Sequence, residues 1–201
     1  MIRLYDYLPS GNGYKVRLLL TQLGVPFERV ELDIIKGETR TPEFLRKFPN
    51  GRIPAVEFDD GKLLFESNAI ILYFAQGTPF VPSDRFQRAQ LLQWLFFEQY
   101  SHEPYLASVR YLVMHPDVQD LRRSILDMMR QRGYDALGVM EAHLKSREWF
   151  AGERYSVADI ALYAYTHVAD EGGFDLTNFP AIRAWLERVK SQPRHIPITQ
   201  S

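Results

Sequence analysis

The apolar spacing of this 201-residue chain changes character once, near residue 80, and that change constrains the fold more than any single residue does. Before it, period-2 alternation and 3.6-residue spacing take turns, as expected of strands and helices sharing one layered α/β unit. After it, only the helical period persists. Ile2 to Tyr7 reads as a strand, and Gly13 to Leu23 carries Val16, Leu19, Leu20 and Leu23 on one helical face, with Gly24 placed to end that helix as its C′ residue. Phe27 to Leu32 alternates apolar with charged residues, completing a βαβ unit. Thr41-Pro42 opens a short helical stretch to Phe48, Ile53 to Phe58 is a further strand, and Asp60-Gly61 makes a tight turn before Lys62 to Phe65. A helix from Ser67 to Gln76 closes the set, so the order is β-α-β-α-β-β-α.

Gly77-Thr78-Pro79 and Pro82-Ser83-Asp84 then punctuate the chain. Beyond them, Phe86 to His115, Val118 to Ser146, Ser156 to Asp170 and Pro180 to Ser191 all show i, i+3, i+4 apolar spacing, and Trp94, Trp149 and Trp185 all lie in this half. Two domains are therefore expected: an α/β domain over 1–77 and an all-helical domain over 84–201. Pro104 is placed to kink the first long helix. Ser156 and Asp159 have the spacing of a capping box, with Tyr155 and Ile160 at the staple positions, and this reading gives Asp159 a structural role.

Charge and composition narrow the partners. The net charge is −1, and the first 80 residues hold 10 basic and 10 acidic side chains, so neither half carries the basic field that would attract nucleic acid or an anionic membrane. There is no cysteine, which excludes disulfides, thiolate metal sites and any mechanism using the protein's own thiol; if thiol chemistry occurs, a small molecule brings the sulfur. The five histidines show no metal-ligand spacing, so no metal is expected. Arg3 and Asp6 interrupt the N-terminus where a secretory segment needs apolar residues, and the longest apolar run, Ala69 to Ala75, is far short of the roughly 20 residues that cross a bilayer. A cytoplasmic protein is expected.

Three clusters carry chemistry. Ser10-Gly11-Asn12-Gly13 lies between the first strand and the first helix, where amide N–H groups and the helix dipole face an incoming anion; Ser10 or Asn12 adds a hydrogen bond there, or simply caps the helix. Ile53-Pro54 opens a strand in which proline cannot donate to the ladder; a cis bond would turn the Ile53 backbone outward toward a peptide-like ligand, whereas a trans proline would merely mark a strand end. Glu66-Ser67 stands at the start of the third helix. There Ser67 suits a carboxylate and Glu66 an ammonium, the two ends of an amino-acid head, or the pair is a plain helix start.

In this order, with Pro49-Asn50-Gly51-Arg52-Ile53-Pro54-Ala55-Val56, Phe65-Glu66-Ser67-Asn68-Ala69-Ile70 and the capping box downstream, the chain resembles the glutathione transferase family along nearly its whole length. The resemblance implies a thioredoxin-like N-terminal domain, a helical-bundle C-terminal domain and a homodimer. It implies that Ile53 pairs its backbone with glutathione across a cis bond to Pro54, and that Glu66 and Ser67 hold the γ-glutamyl head. Ser10 matches the hydroxyl that serine-type members aim at the glutathione sulfur, and Arg52, with Arg40, is a candidate for the glycyl carboxylate. Ser10-Gly11-Asn12-Gly13 with Lys15-Val16 resembles the bacterial Thr-Pro-Asn-Gly branch, whose members favour disulfide reduction; serine replaces threonine, glycine replaces proline, and Asn12 is implied to share the sulfur-orienting role. Tyr5 and Tyr7 are read as sheet residues. The second substrate's site is expected between the domains, lined by Tyr100, His102, Tyr105 and Tyr111, with Arg110 nearby. The implied activity is thiolate attack on a small electrophile; glutathione-dependent disulfide or peroxide reduction, and a non-catalytic glutathione-binding scaffold, are the alternatives.

Overall fold

The computed structural model describes residues 1–117 and 121–200, which form two compact units. The first comprises Met1–Thr78 together with Pro193–Ser201, and the second Pro79–Gln192. The last nine residues therefore belong to the α/β unit and not to the helical domain expected over 84–201. The cause lies on the first helix: Tyr14 Oη donates to the Ile196 carbonyl at 2.7 Å, and Arg17 donates to the carbonyls of Ile198 and Gln200.

In the first unit, β1 (Ile2–Asp6), α1 (Gly11–Leu23), β2 (Phe27–Glu31), α2 (Pro42–Lys47), β3 (Ala55–Glu57), β4 (Leu63–Phe65) and α3 (Ser67–Ala75) follow the expected order. The sheet order is β2-β1-β3-β4; β1 and β2 are parallel, and β3 and β4 extend it antiparallel. This is a thioredoxin-like α/β layer. Gly24 adopts φ 70°, and the Gly24 and Val25 amides donate to the Thr21 and Leu20 carbonyls, a Schellman ending that only glycine accommodates without strain. All four strands are shorter than expected, β3 most: it starts only after the Ile53-Pro54 pair, and the ladder begins at Ala55, the first residue after the proline able to donate. The apolar stripe expected on one face of α1 is in fact a helix buried nearly all round, because the C-terminal tail covers its other side.

The second unit contains α4 (Arg85–Phe97), α5 (Glu103–Met114), α6 (Leu126–Leu144), α7 (Val157–Thr166) and α8 (Pro180–Lys190). The helix expected from Phe86 to His115 is divided by a π-helical turn over Glu98–His102, where the Glu103 amide reaches back five residues to the Glu98 carbonyl. Pro104 supplies the reason: it has no N–H for the Tyr100 carbonyl and its ring crowds that oxygen, so the preceding turn widens. Residues 118–120, the start of the helix expected over 118–146, lie outside the described residues; a 3₁₀ segment over Leu121–Ile125 leads into α6. The capping box is formed. Ser156 Oγ accepts from the Ala158 amide, while Asp159 accepts from the Ser156 amide at 3.0 Å and starts the fully buried α7. Among the described residues no helix is long and apolar enough to cross a membrane.

Candidate active site

Strand register brings the three sequence clusters to one edge of the sheet. Tyr5 on β1 is paired with Ala55 on β3, and Ala55 with Phe65 on β4. Continuing one or two residues from each leads to the Tyr7–Ser10 turn, to Ile53-Pro54, and to Glu66-Ser67. The convergence follows from pairing alone, before any side chain is considered.

At the first of these, the Ser10 amide donates to the Tyr7 carbonyl at 2.8 Å, closing the turn, and Ser10 Oγ accepts the Gly13 N–H at 3.3 Å as N-cap of α1. The hydroxyl spends a lone pair on this cap and keeps its proton for another acceptor. Capping and hydrogen bonding to an anion, alternatives from sequence, are thus compatible. Gly13 is required here: a Cβ would stand 1.6 Å from Asp6 Oδ1. Asp6 is buried under this turn, with Arg17 Nε 2.8 Å from its Oδ2 and turned off the hydrogen-bond line, so the contact is one of charge. Burial pushes the Asp6 carboxyl above its ordinary range, and the Arg17 charge opposes that rise.

Ile53-Pro54 is cis, and among the described residues the Ile53 backbone N–H and C=O make no hydrogen bond. A pair of groups at the end of a strand with no ladder partner suits an extended peptide laid against them. Arg52 beside it is exposed. Arg40 instead folds over the Asn50-Gly51 turn, with Nη1 3.4 Å from the Asn50 carbonyl.

Glu66 occupies the N-cap position of α3 with φ 71°, a left-handed conformation that side chains rarely adopt, and its carboxylate is exposed. Ser67 is only 5% exposed and donates from Oγ to Asn12 Oδ1 at 3.3 Å. The starts of α1 and α3 are thereby linked directly. Two N-terminal amide clusters with their dipoles, an exposed carboxylate and an unladdered strand end form a surface for a peptide carrying carboxylate and ammonium ends.

Tyr5 is not part of this surface. Its hydroxyl donates to Glu57 at 2.6 Å, its ring packs edge-on against Phe44 and Phe48, and burial raises its pKa, so it stays protonated within the packed sheet. On the helical unit, a cavity of about 390 Å³ is lined by Tyr100 and Tyr105, together with Phe97, Ser101, Arg132 and Asp135. His102 and Tyr111, grouped with them by sequence, do not line it. His102 is fully buried with Nε2 2.9 Å from Thr166 Oγ1, a consequence of the π turn, and Tyr111 packs against the His115 ring. Arg110 is buried against Glu171 at 2.7 Å. Arg132 and Asp135 were not found from sequence because they sit on α6, some 30 residues from the aromatic cluster.

The chain is thus a two-domain protein, a thioredoxin-like sheet with a cis proline ahead of β3 followed by an all-helical unit. The chain belongs to the glutathione S-transferase family: residues 1–76 match its N-terminal domain and 102–193 its C-terminal domain. A solved glutathione S-transferase from Pseudomonas fluorescens Pf-5 is 51% identical, with a TM-score of 0.95 and 99% of each chain covered. The disulfide-bond oxidoreductase YfcG of Escherichia coli K12 is 35% identical over 96% of this chain and 92% of its own. Ure2p in complex with glutathione is 26% identical, with a TM-score of 0.88, over 100% of this chain and 94% of that one.

Proposed function

We propose that this glutathione S-transferase binds glutathione along residues 1–77 as a co-substrate and activates its thiol at the start of α1. The observation that carries this reading is the meeting of Ser10-Asn12, cis Ile53-Pro54 and Glu66-Ser67 at one sheet edge, tied by the Ser67–Asn12 hydrogen bond. Ile53 pairs its backbone with the cysteinyl residue, Glu66 meets the γ-glutamyl ammonium, the backbone N–H groups of Ser67 and the first turn of α3 meet its carboxylate, and Arg52 meets the glycyl carboxylate. Ser10, with Asn12, donates to the sulfur; donation to the charged form and the α1 dipole both favour thiolate over thiol, the proton passing to solvent. The helical unit supplies the second substrate's surface through the cavity at Tyr100 and Tyr105. Phe86 and Phe96, 72% and 70% exposed on α4, support a homodimer. Reduced glutathione as co-substrate favours the cytoplasm.

The thiolate has two possible targets. In conjugation it forms a carbon–sulfur bond and expels a leaving group or adds to an activated double bond. In disulfide reduction it forms a mixed disulfide and releases one thiolate, and a second glutathione then releases the other thiolate and leaves oxidised glutathione. The second reading is favoured by the 35% identity with a protein named for disulfide-bond oxidoreduction. Parallel assays with an aromatic halide and with a small dialkyl disulfide separate them. Turnover of either that is lost in Ser10→Ala or Asn12→Ala, with glutathione binding retained, supports the activation mechanism. Glutathione binding with no turnover of either establishes a scaffold.

A further inference from the structure

Lys15 is the fifth residue of α1 and is fully buried, yet the mechanism above gives it no role. Among its contacts, Nζ lies 3.3 Å from Ser67 Oγ and 3.5 Å from Asn68 Oδ1, so this side chain spans from α1 to the first turn of α3. An ammonium has three donors and no acceptor, so Ser67 Oγ can only accept from it. With a lone pair committed to Lys15, the Ser67 hydroxyl proton goes to Asn12, and it does so at Oδ1, 3.3 Å away. The direction of this chain, Lys15 to Ser67 to Asn12, is set at its ammonium end. Fixing Oδ1 as the accepting end orients the Asn12 carboxamide with its N–H donors on the opposite side.

We propose that Lys15 is a positioning residue for thiol activation: through Ser67 it holds the Asn12 amide in the orientation that presents N–H donors, rather than a carbonyl oxygen, to the glutathione sulfur. The proposal rests on the glutathione-activating reading of this site and adds the residue that makes Asn12 a donor. The physical need is clear. An asparagine that turned its oxygen toward the sulfur would disfavour the thiolate, and an isolated Ser67 hydroxyl accepts from an amide N–H as readily as it donates to an amide oxygen. A buried, donor-only cation takes one of the two Ser67 lone pairs and turns the hydroxyl proton away from itself, which weights Ser67 toward donating to Asn12. It also places positive charge behind the site in surroundings that screen it weakly.

The test is the pH midpoint of thiolate absorbance for glutathione at saturating concentration on the parent, Lys15→Met, Asn12→Ala and the double variant, with thermal unfolding of each measured alongside. The expected result is a midpoint raised by about one unit in Lys15→Met, a tenfold loss of thiolate fraction at fixed pH. Asn12→Ala shifts in the same direction, and adding Lys15→Met to Asn12→Ala shifts the midpoint little further. If Lys15→Met is folded and keeps the parental midpoint, Lys15 plays no part in activation. If its effect adds in full to that of Asn12→Ala, it acts by direct charge and the relay through Asn12 is wrong. Should Lys15→Met fail to fold, Ser67→Ala breaks the same chain at its centre with Lys15 retained, and its midpoint must rise for the proposal to stand. A parent that shows no depressed midpoint at all refutes the activation reading itself, a result distinct from either failure of Lys15.

Discussion

Replacing Asp159 should cost the helical unit a large share of its stability, and pH should reveal the mechanism. The fully buried carboxylate accepts from the Phe150 amide at 3.2 Å, and from the Trp185 indole, the Ser156 amide and the Ser156 hydroxyl at 3.0 Å each. In Asp159→Ala the Ser156 hydroxyl can turn away, leaving three buried N–H groups unsatisfied at about 1–3 kcal/mol each. Against this stands the cost of burying the charge: burial raises the carboxyl to about 6 despite its donors. A rise from 3.8 to about 6 corresponds to about 3 kcal/mol at neutral pH. The balance is a loss between about 0 and 6 kcal/mol, centred on about 3 kcal/mol, where a whole domain is stable by about 5–15 kcal/mol. Asp159→Asn keeps an acceptor for Phe150 and Trp185 and strands the Ser156 amide at about 1–3 kcal/mol, which relief of the buried charge offsets at pH 7, so its net cost there is small and well below that of Asp159→Ala. Because the folded pKa is raised, the stability linked to protonating Asp159 is complete below about 4 and is lost as pH rises through about 6. The parent should therefore gain stability relative to Asp159→Asn as pH falls from 7 toward 4. Urea titrations followed by circular dichroism at pH 7 and pH 5 read both effects. An Asp159→Ala protein with the parental midpoint, or a parent-minus-Asn difference that does not change with pH, would refute the reasoning.

Other substitutions probe the first unit. Gly13→Ala puts a methyl 1.6 Å from Asp6 Oδ1, so the turn must shift; a stability loss of about 1–3 kcal/mol in urea, with weakened glutathione binding, is expected. Arg17→Met leaves Asp6 buried beside a neutral side chain and frees the tail carbonyls, at about 3–5 kcal/mol by thermal unfolding. Glu66→Gly relieves the φ 71° conformation and should leave stability equal or higher by about 1 kcal/mol, while calorimetry shows glutathione binding weakened about tenfold as the ammonium partner is lost. Unchanged binding in that variant would remove Glu66 from the site.

How far the sequence foretold this structure depended on the range of each interaction. The Gly24 ending, the Ser156–Asp159 box and the order of strands and helices in the first unit rest on contacts a few residues apart, and all are found as read. Ile53-Pro54 was legible as a choice between cis and trans, and the structure resolves it as cis. What escaped depends on distant parts of the chain. Lys15 and Arg17 look like solvated charges on a helix, and their burial is visible only once Ser67, Asp6 and the carbonyls of Ile198 and Gln200 surround them. The return of residues 193–201 to the first unit carries no local signal, since its anchors Tyr14 and Arg17 lie about 180 residues away. His102 departs from expectation for a different reason: Pro104 predicts a kink, whereas the structure has a widened π turn there, with His102 buried against Thr166.

The central claim is that this fold lowers the pKa of a thiol it does not own. The most direct measurement is the near-ultraviolet thiolate absorbance of glutathione with excess protein, titrated across pH for the parent, Ser10→Ala and Asn12→Ala. Thiolate appearing well below the free thiol's pKa of about 8.5 on the parent, and returning toward it in Ser10→Ala, is the predicted result. Glutathione that binds the parent and stays a thiol near neutral pH would contradict the account.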